Sequence, residues 1–248
     1  MASKIKNIIE RTPNGGVLLS SWLSANALSR SEQANYVKTG WLCRICPGVY
    51  HISTQTPRLY PSLLSMSSQS DFQYHIGALT ALELKGFSHY GQLGKQKAYV
   101  YASEKWPPCL DNVDWDITPI RVKSDVYKEL GLTSISVDGV DVTISSPERA
   151  IFEYLDMIPE SANPMDVFYI MEMLTTLRPR LINKLLAKAS IKTRRLFLYM
   201  AEKANHPWLE ELSLDGVNLG SGDRSITPGG VYDRKYKIVI PKELADYE

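Results

Sequence analysis

The sequence predicts an α+β protein in which a small helical module with a hairpin precedes a larger mixed domain. In the first 52 residues, three short helical patterns are followed by two strand patterns around a Pro-Gly turn. Further along, strand patterns and amphipathic helix patterns both occur, as expected of a mixed domain. We expect the first module to span residues 1–52 and the mixed domain residues 73–248. Residues 53–72 are rich in Ser, Thr, Pro and Gln, which predicts a linker or crossing segment.

The first module begins with two short helices. Apolar residues at i, i+3 and i+4 (Ile5, Ile8 and Ile9) predict an amphipathic helix over residues 4–10. Ser20 is the predicted N-cap of a second helix over residues 20–25. Asn26 lies in the following turn, where we expect it to adopt a left-handed backbone, since asparagine tolerates this conformation best after glycine.

The third helix and the hairpin after it carry the strongest local signals. Ser29 and Glu32 have the spacing of a capping box, and Gly40 stands where a helix commonly ends. Residues 41–46 and 49–52 are predicted strands on either side of Pro47-Gly48. A capped helix followed at once by a hairpin is typical of a winged helix-turn-helix, which inserts this helix into the major groove of duplex DNA.

The charge distribution and the polar side chains agree with a DNA ligand. Residues 1–52 hold six Lys/Arg and two acids, whereas the rest of the chain is slightly acidic. In the third helix Gln33 shares one face with Tyr36 and Val37, and most other polar side chains lie opposite. Amides can pair with adenine, Arg with guanine, and Lys with phosphate. The candidate DNA-binding residues are Arg30, Ser31, Gln33, Asn35, Lys38 and, near the tip of the hairpin, Arg44. The alternatives are a small three-helix packing unit that binds nothing and a winged helix that serves as a protein-interaction module.

The cysteines predict neither a disulfide framework nor a metal site. There are three of them, and no charged-then-apolar leader or long apolar run accompanies them, so we expect a cytoplasmic protein with reduced thiols. Cys43 and Cys46 form a Cys-x-x-Cys pattern, but a strand would point them to opposite faces. With Cys109 as the remaining cysteine, we expect no metal and no cofactor.

The mixed domain is predicted from alternating strand and helix patterns. Asp138-Gly139 is a two-residue hairpin signal, and Ser146 followed by Pro147 is a typical helix start. The predicted helices cover residues 74–85, 147–158, 165–176, 180–189 and 192–204, and the predicted strands cover 97–102, 117–123, 133–137, 140–145 and 236–240.

Three ordered segments resemble the AbiEi-type antitoxins of abortive-infection toxin–antitoxin pairs. They are KTGWL with PGVY at residues 38–42 and 47–50, ALTALELKGF at 78–87, and VTISSPERA at 142–150. The resemblance implies a winged-helix domain that represses its own operon. It also implies a C-terminal domain that opposes a toxin similar to nucleotidyltransferases without forming a stable complex with it. This sequence departs from its relatives at Gln33 and Asn35, where they often have Arg and Leu.

Residues 178–204 form a second basic region, with eight Lys/Arg and one acid. Arg180, Lys184 and Lys188 follow one another at intervals of four and predict a stripe on one helix. The region is either a solvated helix face or a second surface for a polyanion, such as flanking DNA or an RNA substrate shared with the toxin. The candidate residues of this second basic surface are Arg180, Lys184, Lys188, Arg194 and Arg195. Arg149, next to Pro147-Glu148, either pairs locally or has a functional role.

Enzyme motifs are missing from the sequence. It contains no GxxxxGK[ST], HExxH or GxSxG pattern. Glu83 and Lys85, with Asp71 upstream, weakly resemble the acid-x-Lys pattern of metal-dependent nucleases, but they fall on a predicted helix. The acidic loop of Asp111, Asp114 and Asp116 is expected to be solvated. The sequence therefore predicts a non-enzymatic, sequence-specific DNA-binding repressor with an antitoxin domain. A protein-interaction adaptor is the alternative, and a nuclease is a more remote one.

Overall fold

The chain divides into two compact units, each assembled from separated stretches of sequence. A computed structural model describes residues 2–88, 94–102, 106–124 and 126–247. The first unit comprises residues 1–76, 92–124 and 134–143. The second comprises residues 77–91, 125–133 and 144–248.

The first unit opens with three helices and a small antiparallel sheet. The helices are α1 (Ala2–Arg11), α2 (Ser20–Ala25) and α3 (Arg30–Lys38). The strands are β1 (Val17–Leu19), β2 (Leu42–Cys46) and β3 (Val49–Ile52), in the order β1-β3-β2. Apolar residues from each of these helices and strands, together with Leu28 between α2 and α3, form one core: Ile5, Ile8, Leu18, Leu23, Leu28, Tyr36, Leu42 and Ile52. This element order is consistent with a winged helix, in which the β2–β3 hairpin is the wing.

The turn between α2 and α3 differs from the sequence prediction at two residues. Ser20 is the first residue of α2 rather than its cap. Asn26 has a φ of −94°, and the left-handed position is taken by Ala27 with a φ of 63°. The reason is that Asn26 Nδ2 donates to the carbonyl of Trp22 at 2.9 Å, which keeps this residue at the helix end and moves the reversal one residue on.

The predicted linker contains a buried helix, α4 (Leu59–Gln69). Gln69 at its end pairs with the backbone of β1, since its Oε1 accepts from Leu19 N at 2.7 Å and its Nε2 donates to Val17 O at 3.0 Å. Leu59 and Leu63 are fully buried. Part of the polar composition that predicted a linker therefore belongs to a buried helix, in which Ser62 and Gln69 form hydrogen bonds to distant backbone groups.

A five-stranded sheet occupies the middle of the chain. Its strands are β4 (Tyr74–Ile76), β5 (Lys97–Ala102), β6 (Thr118–Val122), β7 (Leu132–Val137) and β8 (Val140–Ser145), in the order β6-β5-β4-β8-β7. Asp138 and Gly139 both have positive φ, as the predicted hairpin turn requires. The helix predicted over 74–85 begins later than expected, because residues 74–76 pair antiparallel with β5.

A disulfide joins Cys46, at the end of β2, to Cys109 in the short 3₁₀ helix Pro108–Asn112. The two Cα atoms are 6.1 Å apart, and Cys43 is free and exposed. The expectation that all three thiols are reduced is therefore wrong in this structure. Sixty-three residues separate the partners, and sequence spacing gives no means of pairing cysteines over such a distance.

The second unit is mainly helical, and most of its helices pack around one buried helix, α6 (Pro147–Asp156). Its helices are α5 (Ala78–Leu84), α6 (Pro147–Asp156), α7 (Pro164–Met173), α8 (Pro179–Lys188), α9 (Ile191–Lys203) and α10 (Lys242–Asp246). Eight of the ten residues of α6 are buried, and α5, α7, α8 and α9 pack around it. A small sheet of β9 (Arg224–Ser225), β10 (Val231–Asp233) and β11 (Ile238–Ile240) follows. Within the described residues, every helix is too short or too polar to serve as a membrane span.

Candidate nucleic-acid interfaces

Helix α3 is anchored through one face, which leaves the opposite face in solvent. Its N-terminus has the predicted capping box, in which Ser29 Oγ accepts from Glu32 N and the Glu32 carboxylate accepts from Ser29 N. Tyr36 is buried in the core of the first unit. Gly40 takes the left-handed backbone after the helix, with a φ of 77°. The cap, the buried face and the terminal glycine together fix the position of α3.

Gln33 belongs to the buried face of α3, so its prediction as a DNA-binding residue is wrong. Its side chain is 1% exposed. Its Oε1 accepts from Ser20 Oγ at 2.6 Å, and its Nε2 donates to the carbonyls of Ser20 and Leu28 and to Ser24 Oγ. These bonds hold the turn between α2 and α3 together. They use the amide groups that DNA recognition would need.

The outer face of α3, defined by Arg30, Asn35 and Lys38, is exposed. These three side chains have no hydrogen-bond or ion-pair partner among the described residues. Ser31, the remaining candidate on the helix, is also exposed and lies 3.0 Å from Ser29, hydroxyl to hydroxyl. The outer face therefore presents two cations and one amide that are available to an external ligand.

The one acidic residue of α3 is turned away from this face. Glu32 accepts from Lys4 Nζ at 3.0 Å and from Ser29 at the cap. Hydrogen bonds from Lys4 and then Ser29 lower the pKa of Glu32 to about 2, so it remains ionised and balanced by Lys4. Its charge consequently does little to oppose an anion at the outer face.

The wing places another cation and an aromatic ring in solvent. Arg44 is exposed, and its Nε makes one long contact, 3.4 Å, to the carbonyl of Cys46. The pairing of β2 with β3 shifts register between Arg44 and Cys46, where Ile45 is the extra residue. Trp41, just before β2, is 49% exposed. The sequence analysis placed Trp41 inside the predicted strand 41–46 and did not identify it as a candidate contact, since the strand pattern alone does not report which side chains are exposed.

The second basic surface is smaller than the sequence predicts. Arg195 is 1% exposed, and its guanidinium donates to four backbone carbonyls, those of Leu219, Gly220, Gly222 and Lys237. Arg194 donates in the same way to the carbonyls of Leu186, Ala187 and Asn218. Arg195 fastens the segment after α9 to that helix, and Arg194 joins α9 both to the end of α8 and to Asn218. Their prediction as part of a polyanion-binding surface is therefore wrong.

Arg180, Lys184 and Lys188 do lie exposed on α8, and the first two line a cleft of about 1080 Å³. We call this the α8 cleft. The cleft lies entirely within the second unit. Its wall comes from five separate stretches of the chain: Lys85; Leu130, Gly131, Leu132 and Thr133; Ser146 and Pro147; Leu177, Arg178, Pro179, Arg180, Leu181, Asn183 and Lys184; and Glu211. Lys85 was missed as a contributor, because no local sequence signal connects it with residues a hundred positions away.

One side of the α8 cleft is held by a partly buried ion pair. Arg178 Nε and Nη2 donate to the two carboxylate oxygens of Glu148 at 2.8 and 2.9 Å, and Ser146 Oγ donates to the same carboxylate at 2.7 Å. Although burial alone would raise the pKa of Glu148, the bonds from Arg178 and Ser146 outweigh it and lower that pKa to about 2. This pair joins the start of α8 to the start of α6.

Arg149 has the local pairing that was one of its two predicted roles. Its Nε donates to Glu153 Oε1 at 2.7 Å, and both side chains are almost fully buried. Its Nη1 donates to the carbonyls of Lys128 and Leu130. These contacts tie the segment before β7 to α6.

The acidic loop does not gather its carboxylates around a common point. Asp111 pairs with Arg121, Asp114 with Lys95, and Asp116 with Arg58. Within the described parts of the chain, no group of His, Cys, Asp or Glu side chains has the geometry of a metal site. The sulfur of Cys46, one half of the Cys-x-x-Cys pattern, is in the disulfide.

Comparison with known proteins identifies the family. Residues 1–93 match a family model described as a transcriptional regulator, AbiEi antitoxin N-terminal domain, and residues 95–241 match one described as a transcriptional regulator, AbiEi antitoxin, type IV TA system. No curated protein matches this sequence. The crystal structure of the RV2827C protein from Mycobacterium tuberculosis is similar, with a TM-score of 0.62 at 12% identity over 96% of this chain and 90% of that one. At this identity the similarity concerns the fold alone. Since the two family models together cover nearly all of the sequence, the chain belongs to the AbiEi antitoxins, the transcriptional regulators of type IV toxin–antitoxin systems.

Proposed function

We propose that the protein is a sequence-specific DNA-binding repressor that controls its own toxin–antitoxin operon. The observation that carries this proposal is the outer face of α3, whose two cations and one amide have no partner among the described residues. The face lies on a capped helix followed directly by a wing, the arrangement with which winged helices enter the major groove.

Each exposed side chain has a chemistry suited to a different part of DNA. The guanidinium of Arg30 can donate two hydrogen bonds to guanine, and the amide of Asn35 can pair with adenine. Lys38, in the last turn of α3, and Arg44, on the wing, suit phosphates, and Arg44 also suits a minor groove. Base readout is thus assigned to Arg30 and Asn35, and register along the duplex to Lys38 and Arg44.

The regulatory role fits the family, which consists of antitoxins rather than enzymes. We assign neutralisation of the toxin to the second unit. The resemblance implies a toxin similar to nucleotidyltransferases and an antitoxin that acts without holding it in a stable complex. DNA binding and toxin neutralisation are then separate tasks of one chain.

The test is a gel-shift titration of the full-length protein on the DNA upstream of its own gene and on a shuffled fragment of equal composition. We expect tighter binding to the natural fragment and a linear fall of log K with log salt. The double variant Arg30→Ala/Lys38→Ala should lose at least tenfold in affinity. Lys242→Ala, which removes an exposed lysine of α10, is the matched control and should stay within twofold of the wild type.

Two results would contradict the proposal. One is equal affinity for the natural and the shuffled fragment at every salt concentration. The other is unchanged affinity of the double variant for the natural fragment. A protein that binds no DNA but retains a stable protein partner through α3 would support the adaptor alternative instead.

A further inference from the structure

The α8 cleft carries an excess of unpaired positive charge. Lys85, Arg180 and Lys184 line it and have no acidic partner among the described residues. The charge of Arg178 is balanced by Glu148. Glu211 is the one carboxylate among the residues that line the cleft. Three unpaired cations against one carboxylate, around a concave wall, favour an anionic ligand.

The start of α8 leaves one backbone donor without an acceptor. Its first turn contains no acidic residue, and its N-cap position, Arg178, makes no side-chain capping bond. Pro179 has no N–H, and the N–H of Arg180 has no acceptor among the described residues. The positive end of this ten-residue helix is balanced by the Glu148 carboxylate, whose Oε1 accepts from Arg178 N at 3.0 Å. The excess positive charge of the cleft therefore comes from the side chains of Lys85, Arg180 and Lys184.

The remainder of the wall is suited to more than a simple anion. Leu130, Leu132, Leu177 and Leu181 supply apolar surface. The exposed Glu211 carboxylate, in the same wall, supplies a hydrogen-bond acceptor.

We infer that the α8 cleft binds a nucleoside phosphate, either as a free ribonucleotide or as the terminal nucleotide of an RNA chain. Arg180, Lys184 and Lys85 hold the phosphates. The leucine surface packs against the base, and Glu211 accepts from its amino group or from the ribose hydroxyls. The cleft volume of about 1080 Å³ is sufficient for a ligand of this size. This inference does not depend on DNA binding by the first unit.

The experiment is isothermal titration of the full-length protein, at physiological salt, with three kinds of probe. The first is each of the four ribonucleoside triphosphates, the second is short single-stranded RNA with and without a 5′-phosphate, and the third is inorganic pyrophosphate. We expect saturable binding of at least one nucleotide probe and at least tenfold weaker binding of pyrophosphate. Tighter binding of a free triphosphate identifies a metabolite as the source, and tighter binding of phosphorylated RNA identifies an RNA end.

The variants are matched within one helix. Arg180→Gln/Lys184→Gln should weaken binding of the best probe at least tenfold, since each removes a charge-assisted contact to phosphate. Lys188→Gln removes an exposed cation from the same helix but outside the cleft, and it should change affinity less than twofold. Unchanged melting temperatures establish that both variants are folded.

Three results would overturn the inference. The first is that the wild-type protein gives no saturable binding of any nucleotide probe. The second is that the double variant binds as tightly as the wild type, and the third is that Lys188→Gln weakens binding as much as the double variant does. Binding of pyrophosphate as tight as that of the nucleotides would overturn the assignment of the leucine surface and Glu211 to a nucleoside.

Discussion

At the scale of single residues, the position of a polar side chain on its helix decides what it does. Gln33 and Asn35 lie two positions apart on α3 and have the same amide group. Gln33 is buried and fully hydrogen-bonded, whereas Asn35 is exposed and has no side-chain partner among the described residues. The sequence predicted both as DNA contacts because residue chemistry alone does not report whether an amide is already satisfied. Arg194 and Arg195 were misjudged for the same reason.

The two amides should therefore separate stability from DNA binding. Gln33→Ala leaves Ser20 and the carbonyl of Leu28 without their partner, and we expect the free energy of unfolding to fall by about 2 to 4 kcal/mol. Asn35→Ala should change stability by less than about 0.5 kcal/mol and weaken binding of the natural operator by about 1 to 3 kcal/mol. Urea unfolding and gel shifts on natural and shuffled DNA measure both. Equal losses of Asn35→Ala on the two DNAs would make Asn35 a phosphate contact.

At the scale of elements, the strongest local signals predicted the structure well. The capping box, the glycine after α3, the β2–β3 hairpin and the Asp138-Gly139 hairpin all occur where the sequence places them. Helix α4 and strand β4 were not predictable from local signals. Helix α4 is hidden by its polar composition, since Ser62 and Gln69 make their hydrogen bonds at long range, and β4 is three residues long and runs directly into the region of α5. A short apolar run fits helix and strand periods equally, and pairing with β5 decides between them.

The Glu148–Arg178 ion pair between α6 and α8 should make the free energy of unfolding depend on pH in the acid range. The pKa of Glu148 is about 2 in the folded protein against an ordinary value of 4.5. Its stabilising contribution is therefore fully present above about pH 4.5 and is lost as the pH falls toward 2. A shift of this size corresponds to roughly 3 kcal/mol, and the solvent exposure of Arg178 reduces the expected value to about 1 to 2 kcal/mol.

Urea unfolding at pH 7 and pH 3 tests this. Glu148→Gln should be less stable than the wild type at pH 7, and the difference should shrink at pH 3. Glu129→Gln, an exposed acid in the same unit, is the control and should give a small, constant difference. An equal destabilisation of Glu148→Gln at both pH values would show that its contribution is not electrostatic.

At the scale of the whole molecule, the count of charges in the sequence overstates the basic surface. Of the eight basic side chains in residues 178–204, four donate to backbone carbonyls: Lys192, Arg194, Arg195 and Lys203. The other four, Arg178, Arg180, Lys184 and Lys188, belong to the start and the outer face of α8. Local sequence reasoning found the stripe on α8, but it could not find the cleft, whose wall comes from segments far apart in the chain. The family was recognisable because its motifs lie in short, ordered segments.

Because the outer face of α3 and the α8 cleft belong to different units, we expect that regulation and toxin neutralisation can be separated by mutation. Arg180→Glu/Lys184→Glu reverses the charge of the α8 cleft in the second unit, whereas the outer face of α3 belongs to the first. We expect operator affinity within twofold of the wild type and loss of rescue in cells that express the toxin. Gel shifts, a growth assay and thermal melting measure the three properties. Full rescue by the folded double variant would reduce the stripe to a solvated helix face.

The disulfide between Cys46 and Cys109 turns the intervening chain into a covalent ring. A protease that cuts once anywhere inside this ring opens it without separating the two halves of the protein. Helices α1 to α3 and strand β2 would then remain attached to the rest of the chain after a single nick. Limited proteolysis followed by electrophoresis displays this directly, with one full-length band under non-reducing conditions and two fragments after reduction. In the variant Cys109→Ser the same nick should give two fragments under both conditions.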